Sequence, residues 1–167
     1  MLVKPCAFKN GCRRAAGFTL IEAVVVVALL AIVAGIAAPS FRSFIGTMNS
    51  KSVAFDLIND LTVARSEAIK RNATTSIEPE GGDWSKGWKV LDANGGVLRE
   101  RAALSSSLSV SGATVATVVF RPNGRLSDDI ADSNLAWSIS SSISGVTARC
   151  VVISPTGAAR SKTGTCS

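Results

Sequence analysis

The sequence contains one long apolar stretch, residues 18–38, in which Glu22 is the only charged residue. As an α-helix, a segment of this length rises roughly 30 Å, which matches the hydrocarbon thickness of a bilayer. The residues before it carry only positive charge, and such an end stays in the cytoplasm. The stretch therefore predicts one membrane span, with everything after Pro39 on the outer side.

Two ordinary explanations compete for this stretch: a secretory signal peptide and a plain single-span anchor. The apolar run exceeds the usual signal core of about 7–15 residues, and only a mediocre small-x-small site, Gly35-Ile36-Ala37, closes it. A plain anchor does not explain Glu22, because a lone carboxylate inside the apolar edge is costly and usually marks a function or a partner.

The residues at the boundary, Gly17-Phe18-Thr19-Leu20-Ile21-Glu22, follow a short basic segment and precede the apolar helix. They resemble the class III signal of type IV pilins and type II secretion pseudopilins. The resemblance implies that residues 1–17 are a leader, that a prepilin peptidase cuts after Gly17, and that Phe18 becomes N-methylated. It also implies that Glu22 pairs with the N-terminal amine of a neighbouring subunit during assembly.

The predicted cut after Gly17 removes some of the positive charges and two of the four cysteines from the mature chain. Four of the 18 Lys and Arg residues precede Gly17, so 14 remain to face 12 Asp and Glu residues. Cys6 and Cys12 lie in the leader, which leaves Cys150 and Cys166 as the only possible disulfide of the mature chain. Export to an oxidising compartment favours that bond, and two free buried thiols are the alternative.

After the predicted span, residues 39–72 have the pattern of an amphipathic helix. Apolar residues recur at helical spacing, which predicts a stripe packed against a sheet: Ala54, Leu57, Ile58, Leu61, Ala64 and Ala68. Glu67 and Arg71 are spaced for a surface ion pair. Residues 64–72 resemble the end of this helix in the GspH and FimT/FimU group of minor pilins.

Residues 73–167 predict a β-rich head, because short β-favouring runs alternate with turn residues. The expected strands are 74–78, 87–91, 97–101, 108–111, 115–121, 136–140 and 149–154, with turns at 92–96, 122–124 and 154–157. Residues 84–90, 119–125 and 150–157 again resemble FimT/FimU and GspH heads. The fold class is therefore predicted as α+β, a pilin fold with a long N-terminal helix packed on an antiparallel head.

Catalytic and cofactor functions find little support in the sequence. The chain has no His and no Tyr, and it contains no nucleophile elbow, phosphate-binding loop or CxxC motif. The composition is compatible with a Ser–Lys hydrolase, but Ser66 and Lys70 have the i, i+4 spacing of a helix and lie within the helix segment that resembles the family. Trp84 and Trp88 are expected in the core or packed at a strand edge, and Asp128, Asp129 and Asp132 in a solvated turn. We expect no enzyme activity, cofactor or metal.

The predicted function is that of a minor pilin that initiates or caps a type IV pilus, with a GspH-type secretion pseudopilin as the alternative. Its partners would be the prepilin peptidase, other minor and major pilins, and the inner membrane, from which the head projects into the periplasm. A DNA receptor is a further alternative, because some FimT-like pilins use a basic Gly-Arg-x-Arg motif. The corresponding Gly157-Ala158-Ala159-Arg160 lacks the first arginine, which leaves a possible patch of Arg149, Arg160 and Lys162.

Overall fold

A computed structural model describes residues 17–112, 117–131 and 135–166. The chain divides between Ala38 and Pro39 into two compact units. Within residues 17–71, the regular structure is one helix, α1 (Leu20–Arg71), which contains Pro39. Asn72 stops it by adopting a left-handed φ of 48°. Asn is tolerated in that conformation, which commonly ends helices.

The described part of the head contains eight strands in two antiparallel sheets. The first sheet has the order β3-β2-β1-β5 and the second β4-β6-β7-β8. The strands are β1 (Thr75–Pro79), β2 (Trp88–Asp92), β3 (Val97–Arg101), β4 (Leu108–Ser111), β5 (Val118–Phe120), β6 (Leu135–Ser141), β7 (Arg149–Ile153) and β8 (Ala159–Thr163). The α+β class and the antiparallel head are thus confirmed.

The apolar stripe predicted for the second part of α1 is buried in the head. Leu57, Leu61, Ala64 and Ala68 have no exposed surface, and Ile58 packs at the margin of the same cluster. The stripe faces alternate residues of both sheets, as the two-residue period of a strand requires. Trp88 of β2 and Trp137 of β6 are fully buried, with Trp84 between them at ring distances of 6.1 and 5.3 Å. The expectation that Trp84 and Trp88 belong to the core is confirmed.

Beyond one-residue differences at strand ends, the predicted elements of the head differ from the structure in three places. The eighth strand, β8, was not predicted, although β7 pairs with it along its full length. The strand expected over 115–121 is shorter, Val118–Phe120, and residues 113–116 lie outside the described part. Asp128 and Asp129 begin a four-residue helix, α2 (Asp128–Ala131), where a turn was expected; Asp132 is not described.

Two acidic residues of α1 pair with two arginines of the edge strand β3. Asp60 is 5% exposed; one of its oxygens accepts a hydrogen bond from Trp88 Nε1 at 2.8 Å, and the other lies 3.0 Å from Arg99 Nε. One turn earlier, Asp56 pairs with Arg101, whose guanidinium also lies over the Trp88 ring. The two aspartates are four residues apart on the helix, a rise of about 6 Å, and the two arginines are two residues apart on the strand, about 7 Å. The similar distances allow both pairs to form side by side.

Loss of the Asp60 carboxylate tests this connection between helix and sheet. Asp60→Ala leaves the buried indole N–H without an acceptor, and we expect it to lower the free energy of unfolding by about 2 kcal/mol. Urea unfolding followed by tryptophan fluorescence measures the change. Asn59→Ala is the matched control, because Asn59 is exposed on the same turn. Equal effects of the two substitutions would contradict a stabilising role for Asp60.

Candidate assembly segment and C-terminal surface

Thr19 sets the start of α1. Its side-chain oxygen accepts a hydrogen bond from the Glu22 backbone N–H at 3.3 Å, and its carbonyl accepts from Ala23 at 3.1 Å. Thr19 and Glu22 thus have the spacing of a capping box, in which Thr is the N-cap and an acid follows three residues later. The helix dipole also favours an acid in this first turn. Gly17 and Phe18 precede the helix and are exposed, so the bond between them lies in non-helical backbone.

The first unit presents apolar side chains on every side of the helix. All residues from 17 to 38 are exposed, including large groups such as Leu20, Ile32 and Ile36. Within the described residues, α1 is the one helix long and apolar enough to cross a bilayer. A helix that is apolar all round requires an apolar environment.

A second apolar surface lies on the part of α1 that belongs to the head. At 3.6 residues per turn, four exposed side chains fall on the side opposite the buried Leu57; they are Phe41, Phe44, Met48 and Phe55, and we call them the aromatic stripe. Further along the same side, Asn59, Thr62 and Ser66 are polar. This stripe was not predicted from the sequence, although the heptad-like spacing of its four members is visible there.

A disulfide joins Cys150 of β7 to Cys166. Cys150 is fully buried, and the Cys166 backbone N–H donates to the Ser138 hydroxyl of β6 at 2.8 Å. Residues 164–166 therefore cross from β8 back over β7 to β6. The predicted pairing of Cys150 with Cys166 is present, and it holds the last described residues against the sheet.

The structure brings together two of the three cations proposed as a patch. Arg160 is opposite Val152, and Lys162 is opposite Cys150, so both lie on one face of the second sheet, which we call the outer face. Arg149 is opposite Thr163 and lies on the other face, because side chains alternate along a strand. Arg149 also donates a hydrogen bond to the Thr163 hydroxyl at 3.3 Å.

The turns 122–124 and 154–157 pack against each other beside α1. Gly124 and Gly157 both have positive φ, 74° and 79°, which glycine adopts without strain. A Cβ on Gly157 would collide with the Gly124 carbonyl, and one on Gly124 would meet Ile69 Cδ1 at 2.7 Å. Both predicted turns are confirmed, and close packing explains why each contains glycine.

The end of α1 is held by an arginine between two carboxylates. Arg71 Nε donates to Glu67 at 2.7 Å, the predicted ion pair, and Arg71 NH1 lies 3.4 Å from Asp92, the last residue of β2. The hydrogen bond from Arg71 lowers the pKa of Glu67, and the backbone N–H groups of Gly96 and Asn94 lower that of Asp92. Both carboxylates favour the folded state at neutral pH, and this contribution is lost as the pH falls through the lowered pKa values.

The other candidate chemical groups have structural contacts. Ser66 donates its hydroxyl proton to the Thr62 carbonyl at 2.8 Å, within the helix. Lys70 lies 3.5 Å from Glu67 and is largely exposed. Lys89 pairs with Glu80, which raises the pKa of Lys89. Among the described residues, no cluster of His, Cys, Asp or Glu has a geometry suited to a metal ion.

Comparison with known proteins agrees with these features. The family model of the type II transport protein GspH matches residues 54–157, and that of the prokaryotic N-terminal methylation motif matches residues 12–38. The minor pilin FimU of Pseudomonas aeruginosa is 25% identical, with a TM-score of 0.56 over 67% of this chain and 87% of that chain. The minor pseudopilin EpsH of Vibrio cholerae is 14% identical, with a TM-score of 0.52 over 68% and 96%, and shows the fold alone. Comparison with curated proteins gave no match.

Reduction of the disulfide should weaken the head measurably. The bond closes a loop with a sequence separation of 16, and chain-entropy arguments assign about 3 kcal/mol to such a closure. We expect the same loss of unfolding free energy in reduced wild-type protein and in Cys166→Ser, measured by urea unfolding with and without reductant. Identical curves for the oxidised and reduced wild type would contradict this role.

Proposed function

We propose, from the premise that this chain belongs to the GspH family of pilin-like proteins, that it is a minor pilin that initiates or caps a type IV pilus. The observation that carries the proposal is the fully exposed apolar helix of residues 18–38 with its single carboxylate. In this function the chain is processed at Gly17, held in the inner membrane, and then transferred into a filament.

Processing would occur in the non-helical segment before Thr19. The Gly17–Phe18 bond lies outside α1, and glycine leaves the backbone there unobstructed. A cut at this bond by a prepilin peptidase removes the basic leader and creates a new amine on Phe18. The N-terminal methylation motif supports methylation of that amine.

Both storage in the membrane and assembly into a filament cover the exposed apolar side chains of the helix. Before assembly, the bilayer covers residues 18–38, with the head on the periplasmic side. In the filament, helices of neighbouring pilins replace the lipid, as expected for apolar helices that pack together. Glu22 then neutralises the amine of an adjacent subunit, because a buried ammonium and carboxylate each relieve the cost of burying the other.

The aromatic stripe supports the same assembly outside the membrane. Its side chains lie opposite the core-facing side of α1, so the head fold does not use them. Monomeric proteins rarely expose several large apolar groups in a row. We assign the stripe to contacts with an apolar helix of a neighbouring pilin.

The pilus is favoured over the secretion system by two features. FimU is the more similar solved structure, at 25% identity against 14% for EpsH. The disulfide and the Pro155-Thr156-Gly157 turn also resemble the FimT/FimU heads.

Deletion of the gene distinguishes a minor pilin from a secretion pseudopilin. Loss of surface pili with normal protein secretion supports a minor pilin, and loss of secretion with normal surface pili supports a pseudopilin.

The cut site is tested by two substitutions. Gly17→Leu should leave a full-length precursor in the membrane, because a side chain obstructs the scissile backbone. Ala37→Leu, which removes the competing small-x-small site, should be processed normally. Mass spectrometry of the wild-type product should show N-methylated Phe18. A mature chain that begins at Ala38 would instead establish a secretory signal peptide.

The aromatic stripe is tested by a charge at its last member. Phe55 is 67% exposed, so Phe55→Glu should leave the fold intact and reduce co-purification with other pilins about tenfold, since a buried unpaired charge is costly. Asn59→Glu places the same charge one turn further, on the polar part of that side. Sheared filaments and membranes are compared by immunoblotting. Equal incorporation of both variants would remove the stripe from the interface.

A further inference from the structure

Among the described residues, β8 is an edge strand of the second sheet. It is the last strand in the order β4-β6-β7-β8, with β7 as its strand neighbour among the described residues. Backbone hydrogen bonds run from Gly164 to Ala148 at 2.9 Å and from Ser154 to Ala158 at 3.0 Å, at the two ends of the β7–β8 pairing. Each joins directly opposite residues and therefore fixes which pairs in the ladder are hydrogen-bonded.

Hydrogen-bonded and non-hydrogen-bonded pairs alternate along an antiparallel ladder, so the direction of each backbone N–H and C=O group of β8 follows from these two bonds. Arg160 and Lys162 exchange hydrogen bonds with β7, whereas Ala159, Ser161 and Thr163 direct their N–H and C=O groups away from it. A row of such groups is the template for addition of another strand.

This edge carries positive charge without acidic neighbours in the sequence. No Asp or Glu follows Asp132, whereas Arg149, Arg160 and Lys162 all do. Arg160 and Lys162 are exposed on the outer face, and neither has a carboxylate partner among the described residues. A depression of about 270 Å³, lined by Val152, Arg160, Ser161 and Lys162, lies directly beside the strand.

Both ends of β8 are anchored. The 154–157 turn precedes it and packs on the 122–124 turn, and the disulfide holds the chain just after it. An edge fixed in this way needs little ordering when a partner pairs with it, and such pre-organisation favours binding.

We propose that β8 receives an extended segment of another protein, which joins the second sheet as a fifth strand and places carboxylates at alternate positions opposite Arg160 and Lys162. The free N–H and C=O groups of Ala159, Ser161 and Thr163 supply the backbone pairing. The cations select an acidic strand and repel a second copy of β8. This inference does not depend on the proposed place in a pilus.

Nucleic acid would use the cations but not the backbone edge. Phosphate binding requires clustered positive charge, and of the three candidate cations the structure places two, Arg160 and Lys162, on the outer face. The free edge, in register with those two cations, favours a peptide strand. Cations at an edge also serve simply to prevent aggregation, and that role predicts no binding at all.

The experiment uses the full chain in detergent micelles and three blocked, fluorescent peptides. The first alternates Thr and Glu over eight residues, the second alternates Thr and Lys, and the third is the Thr-Glu peptide with every second amide N-methylated. Anisotropy measures binding, and hydrogen exchange measures protection of the Ala159, Ser161 and Thr163 amides. A single-stranded oligothymidylate is the nucleic-acid probe.

We expect the Thr-Glu peptide to bind at least about tenfold more tightly than its N-methylated form, which loses backbone hydrogen bonds, and to protect the three amides. Ser161→Pro should abolish this difference, because proline removes an N–H that β7 does not use. Arg160→Glu with Lys162→Glu should transfer the preference to the Thr-Lys peptide. Intact tryptophan fluorescence and an intact disulfide serve as the folding controls for each variant.

Several outcomes would overturn the proposal. Equal binding of the methylated and unmethylated peptides would show attraction by charge alone. Binding of the oligothymidylate at the affinity of the Thr-Glu peptide, unchanged in Ser161→Pro, would indicate nucleic acid. Absence of binding by every probe would indicate that the cations serve only to prevent aggregation at the strand edge.

Discussion

The apolar helix of residues 18–38 cannot remain in water, and this constraint determines what the rest of the chain must do. Its side chains are exposed on every side, and Glu22 is the only charge within it. An uncovered surface of this kind requires lipid or other apolar helices. In the proposed transfer from lipid to filament, the Glu22 carboxylate must be neutralised, and the amine that the proposed cut after Gly17 would create has the required charge.

The second part of α1 meets a different requirement, because one of its sides forms the core of the head. Small and apolar residues such as Leu57 and Ala64 fill that side without exposed surface. Asp56 and Asp60 then attach the helix to the edge strand β3 through Arg101 and Arg99. Residues on the opposite side are therefore available for partners, and the aromatic stripe occupies that side.

The features that sequence alone predicted were those with local signals. The long apolar helix, the i, i+3, i+4 stripe of α1 and the glycine-containing turns each follow from neighbouring residues, and the structure contains all three. The strand β8 was missed because Ala159-Arg160-Ser161-Lys162-Thr163 has few β-favouring residues; β7 and the disulfide hold it in place. Likewise, the position of Arg149 on a different face from Arg160 follows from register, which distant residues determine. The pairing of Asp60 with Arg99 also joins segments far apart in sequence.

The account rests on transfer of the apolar helix from lipid to protein, and site-specific photocrosslinking observes that transfer directly. A photoreactive benzoylphenylalanine replaces Val27, which is 65% exposed in the middle of the span. In cells that assemble filaments, we expect the sheared filament fraction to contain adducts with another pilin. In cells without the assembly motor, the chain should remain in the membrane and form adducts with lipid. A chain that forms no pilin adduct in assembling cells, or that reaches the filament cleaved beyond Val27, would contradict the account.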